Sequence, residues 1–80
     1  MRLSELKTKQ SAVISSITRE SEQDIVANRL EVLGFVEGTP VKVITKGIFG
    51  GEPILVQIGF TRFALRKSEA EKIQLVGVEK

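Results

Sequence analysis

The stretch Leu30-Glu31-Val32-Leu33-Gly34-Phe35-Val36-Glu37-Gly38-Thr39-Pro40-Val41-Lys42-Val43 decides the fold, because the spacing of its apolar residues changes within it. Upstream of Gly34 they recur at helical steps. Val26, Leu30 and Leu33 stand four and three residues apart and so share one face, which Ile25 and Val32 broaden. Ser21 is the expected N-cap, with Asp24 in the place of a capping-box acid. Glu22 and Asp24 fall where the helix dipole favours negative charge. Gly34 suits the left-handed residue just past a helix end, and Phe35 is placed to fold back onto the last turn and enter the core. The expected helix covers residues 21–33. Below it, Gly38-Thr39-Pro40 is turn chemistry, and Val41 and Val43 alternate with Lys42 as in a half-buried strand.

Working outward, the period of two persists. Ile54, Val56 and Ile58 alternate with Leu55 and Gln57, and Phe63 and Leu65 form the inward pair of a strand whose outer residues are Arg62, Ala64 and Arg66. Between the strands, residues 47–53 read as a glycine-rich loop. Ser68 to Lys72 make one helical turn with Ser68 as its cap, and Ile73, Leu75 and residues 76–78 supply a last strand. On the amino-terminal side, residues 12–17 are rich in β-branched side chains and read as the first strand, preceded by Leu3 and Leu6 as apolar anchors. The expectation is one mainly β domain over residues 1–80. Five short strands form a small barrel with one inserted helix, and closure of the barrel removes the exposed sheet edges.

Composition limits what such a domain does. Eighty residues form a thin core, and an apolar content of 41% leaves few side chains to line a deep pocket. There is no histidine and no cysteine, which excludes Ser-His-Asp and Cys-His nucleophilic arrangements and removes the usual ligands of zinc and copper. Glu20, Glu22 and Asp24 do not follow a calcium-loop pattern and read as a solvated helix start. Gly47, Gly50 and Gly51 are not followed by the Lys-Ser or Lys-Thr of a phosphate-binding loop, so they read as turn residues. The expectation is a protein without catalytic residues, cofactor or metal ligands of its own.

Charge points away from nucleic acid. Twelve Lys and Arg against ten Asp and Glu give +2, interspersed along the chain, with no Trp or Tyr for stacking. The amino terminus turns polar within five residues without an apolar signal segment, no apolar run approaches the ~20 residues of a membrane span, and cysteine is absent. A cytoplasmic location is expected. What remains for function is surface. Ile48 and Phe49, between glycines at a loop tip, are either an apolar contact for another chain or a lid on the core. Arg62 and Arg66 share a strand face and are candidates to grip an acidic partner. The barrel edges and the loop tip leave a homodimer open.

Three segments in order resemble one family. Residues 29–43, with a helix ending in Leu33-Gly34-Phe35 followed by Gly38-Thr39 and an alternating strand, are similar to the FeoA family of small components of bacterial ferrous iron uptake. Gly51-Glu52-Pro53-Ile54 resembles that family's Gly-Asp-Pro-Ile turn, and residues 63–73 resemble its Ala-Leu-Arg segment with the acidic turn after it. The similarity runs from about Leu3 to Val78. It implies an SH3-like barrel with an inserted helix and an accessory role beside FeoB, a membrane permease with a cytosolic GTP-binding domain. It brings no catalytic constellation. Ile48-Phe49-Gly50 stands where family members often have Pro-Leu-Gly. A second reading is a free-standing regulatory domain like those at the carboxyl end of iron-dependent repressors, bound to a different protein.

Overall fold

The computed structural model describes residues 1–79; Lys80 lies outside the described residues. The strands are β1 (Ser11–Ile17), β2 (Pro40–Gly47), β3 (Gly51–Ile58), β4 (Thr61–Leu65) and β5 (Ile73–Glu79). Helix α1 (Ile25–Leu33) lies between β1 and β2, and the single turn α2 (Lys67–Ala70) between β4 and β5. All pairings are antiparallel, in the order β4-β3-β2-β1-β5.

Strand alternation builds the core as the sequence implies. Val41 and Val43 of β2, Ile54 and Val56 of β3, Leu65 of β4, and Ile73 and Leu75 of β5 turn inward around Ile14 of β1. Phe35 is fully buried and meets Phe63 at 5.4 Å between ring centroids, a tilted contact of the kind aromatic quadrupoles favour. Leu3 and Leu6 are also fully buried. They are brought in by a 3-10 turn at Leu3–Glu5 and by pairing of Arg2 with Gln74. Register shifts within the β1–β5 and β2–β3 ladders let the sheet bend around this core.

The expected closure is not reached through the ladder. Among the described residues β4 and β5 are end strands and do not pair with each other. The amino-terminal segment covers part of the β5 edge, where Leu75 N–H donates to the Met1 carbonyl at 2.6 Å. The hairpin joining β2 and β3 is tighter than a loop over residues 47–53. Gly47 pairs with Gly51, so only Ile48, Phe49 and Gly50 lie outside the strands. Pro53 is accommodated in β3 because a register shift between Lys46 and Gly47 leaves it outside the regular pairs, where no N–H is required.

Both helices start later or earlier than their sequence signals suggest. Helix α1 begins at Ile25, with Asp24 rather than Ser21 as its cap; the Asp24 carboxylate accepts from Ala27 N–H at 3.0 Å. Ser21 serves the preceding turn, its hydroxyl accepting from Gln23 N–H. The helix stops as expected. Gly34 is left-handed (φ 112°), and Gly34 and Phe35 N–H groups donate to the carbonyls of Glu31 and Leu30. Only Ala27 and Leu30 are buried from α1, with Val26 half-buried. Ile25 and Val32, expected to broaden the inner face, are 80% and 87% exposed. In α2 the cap position is Arg66 and Ser68 lies within the turn; Glu69 replaces the missing cap, its carboxylate accepting from Arg66 N–H at 2.8 Å.

Candidate functional site

The β2–β3 tip is built by the backbone. Phe49 bridges Glu52, whose N–H donates to the Phe49 carbonyl at 3.2 Å, so the tip is a closed turn. Ile48 and Phe49 are 90% and 82% exposed, and the lid alternative is therefore not what the fold adopts. A second apolar tip was not singled out by sequence reasoning: Phe60, in the two-residue turn between β3 and β4, is fully exposed. The signal was there, since Gly59-Phe60 separates two alternating segments. The two tips lie at opposite ends of β3, whose eight residues span about 25 Å at ~3.3 Å per residue.

Arg62 and Arg66 are both exposed, but only Arg62 belongs to β4. Arg66 follows the strand as the extended cap residue of α2, so the two share a strand face only in the extended backbone that continues β4. The fold places them at different ends. Gln57 pairs with Arg62, and the Arg62 Nε donates to the Gln57 side-chain oxygen at 3.1 Å, near the Phe60 turn. Leu65 pairs with Ile54, so Arg66 stands at the Ile48–Phe49 end, where Lys67 N–H donates to the Glu52 carboxylate. The structure thus groups Ile48, Phe49 and Arg66 at one end of the sheet and leaves Arg62 with Phe60 at the other.

Between α1 and the β4–α2 corner is a groove of about 570 Å³, lined by Val26, Arg29, Ala64, Arg66, Ser68, Glu69 and Lys72. Two ion pairs border it. Glu69, buried in the corner, accepts from the Arg29 guanidinium, and Lys72 Nζ lies 2.6 Å from the Asp24 carboxylate. Of the three acids expected at a solvated helix start, Glu20 and Glu22 are exposed, but the Asp24 side chain is largely buried against Lys72. The Lys72 ammonium, joined by the N–H groups of Ala27 and Glu20, holds the Asp24 carboxyl well below its ordinary range. Both pairs link groups 40 or more residues apart, which no local spacing reveals. Among the described residues no three carboxylates gather as a cation would need.

The fold defines a small, mostly β domain of SH3-like type, a five-stranded antiparallel sheet with a helix inserted between its first two strands. The chain belongs to the FeoA family, whose domain model matches residues 1–76. It is similar to the FeoA of Stenotrophomonas maltophilia at 51% identity, covering 95% of this chain and 89% of that one with a TM-score of 0.87. That protein was solved with zinc and described as an SH3 domain protein, with a role as a bacterial ferrous iron transport activating factor suggested for it. The chain also resembles the FeoA protein of Chlorobium tepidum (36% identity, 94% and 68% covered, TM-score 0.79). A manganese-dependent transcriptional repressor shares the fold alone, at 18% identity over 40% of its length, with a TM-score of 0.78. Comparison with curated protein sequences gives no match. Among the described residues no helix is long and apolar enough to cross a membrane.

Proposed function

We propose that this protein is a cytoplasmic accessory of ferrous iron uptake that acts by docking on the cytosolic side of FeoB, through the β2–β3 tip. Membership of the FeoA family supports the process, and one observation supports the surface. Ile48 and Phe49 are held in water by a backbone-closed turn, although folding over the core would have buried them. Burying each of these side chains against a partner contributes roughly 1.5–3 kcal/mol. Arg66, at the same end of the sheet, adds a charge that orients the encounter. The fold shared with the repressor is the sole support for the second reading, a regulatory domain bound to another protein.

The experiment is an NMR titration of the isotope-labelled chain with the cytosolic domain of FeoB, with and without GTP. Shifts clustered on residues 46–53 are expected, and Phe49→Asp abolishes them without altering the thermal midpoint. Absence of shifts at high concentration, or shifts unaffected by that substitution, sinks the docking assignment.

A further inference from the structure

We infer that the slot between the outer edge of β4 and helix α1 receives an extended acidic segment of a partner protein, which adds to the sheet beside β4. The inference deepens the docking reading above and rests on it only for which protein carries the segment.

Three observations converge on this slot. First, β4 is an end strand, with no strand on its outer side among the described residues. Its two-residue turn from β3 makes Ile58 and Thr61 a hydrogen-bonded pair, so Thr61, Phe63 and Leu65 bond to β3 while Arg62 and Ala64 direct their N–H and C=O groups away from it. The row ends at Arg66, whose N–H is taken by Glu69 and whose carbonyl accepts from Glu69 and Ala70. Unpaired edges of this kind are where extended peptides add to sheets.

Second, the charge beside that edge is positive and partly unspent. Glu69 engages Arg29 and Asp24 engages Lys72, but the Arg66 guanidinium has no carboxylate partner among the described residues, and Arg62 bonds only to the Gln57 amide. The slot's own Glu69, and the Asp24 carboxylate beside it, are committed to those ion pairs. An incoming segment therefore meets Arg66 in the slot and Arg62 further along the same strand edge, near the Phe60 turn. Third, the space fits. The groove volume of about 570 Å³ lies within the roughly 300–1,000 Å³ of ligand clefts, and Ala64 and Val26 give it small apolar walls between the charges.

The geometry specifies the segment. Arg62 and Arg66 are four residues apart on extended backbone, about 13 Å at ~3.3 Å per residue. A partner strand with the same repeat meets them with acids at its first and fifth positions and a small apolar residue at the third, against Ala64. A second copy of this chain fits this less well, because its own β4 would oppose arginine to arginine across the pair.

Fluorescence polarisation of the full chain with a labelled peptide containing Glu-Thr-Val-Thr-Glu tests the proposal, with Lys-Thr-Val-Thr-Lys as the control. The acidic peptide is expected to bind with an affinity that falls as salt is raised, and to shift the amides of Arg62 and Ala64. The double variant R62E/R66E weakens it at least tenfold and binds the lysine peptide instead. Ala64→Pro removes one edge donor, at a position where proline is tolerated, and weakens the acidic peptide with charge unchanged. Should that variant not fold, the charge swap decides alone. Equal binding of both peptides, no binding, or shifts confined to residues 46–53 overturns the proposal. So does inorganic pyrophosphate moving the Arg62 and Ala64 amides when the peptide does not. If the acidic peptide binds as described but the FeoB cytosolic domain does not, the slot stands and the docking reading falls; if that domain binds through the tip alone, the reverse holds.

Discussion

At Gly47 a methyl group has nowhere to go. A Cβ built there lies 1.8 Å from the Glu52 carbonyl oxygen, so the close crossing of β2 and β3 below the tip depends on a bare backbone. Gly47→Ala is expected to cost about 1–3 kcal/mol in chemical denaturation, since the clash is with backbone that cannot swing aside. Asp24 makes a different kind of contribution. Its folded pKa lies below its unfolded one, so as pH falls the unfolded chain takes the proton first. The stability this carboxylate provides is complete above about pH 4 and is lost as pH falls toward the folded value. Glu5, lowered by the Arg2 N–H, contributes to the same acid limb. Asp24→Asn keeps a competent cap and removes the charge, so thermal midpoints measured from pH 6 down to 3 should fall less steeply than in the parent. Gly34 and Phe35 were legible at this scale because a helix stop is a local event. Asp24–Lys72 was not, because its partners are 48 residues apart.

Helix α1 shows what periodicity alone leaves undecided. Six apolar residues, Ala27 included, spread over more than half of its circumference, and the sequence carries no mark of which arc the sheet touches. The structure buries Ala27 and Leu30 and leaves Ile25 and Val32 in water. Leu30→Ala is accordingly expected to cost about 2–5 kcal/mol through the cavity it opens. Val32→Ala should change stability by no more than ~0.5 kcal/mol. Paired denaturation curves check both, and equal losses would mean that the helix packs through a different face. The strands were easier to read, since a period of two under a one-sided core admits a single inward set. Their ends were harder. β3 begins three residues before its first core side chain, in Gly51-Glu52-Pro53, where pairing depends on the bare backbone of Gly47 across the hairpin.

For the molecule as a whole, the candidate surfaces were legible as residues but not as places. Ile48, Phe49, Arg62 and Arg66 all reach solvent, yet only the sheet's order separates Arg62 from the other three. Phe60→Ser offers a further check. It removes apolar surface from the opposite end of β3 and should leave both stability and partner docking unchanged, whereas a loss of docking would move the contact to that end. The same sheet order has a bearing on how the chain is made. β1 sits between β2 and β5, and Ile14 finds Leu75 and Ile17 finds Ile73 only across the whole domain. At ~5–20 residues per second, synthesis from residue 11 to residue 79 takes roughly 3–14 s. For that interval a nascent strand of β-branched residues waits with one side unmatched. A chain made as far as β4 is therefore an incomplete sheet, and β1 gains its second neighbour only once β5 has been synthesised.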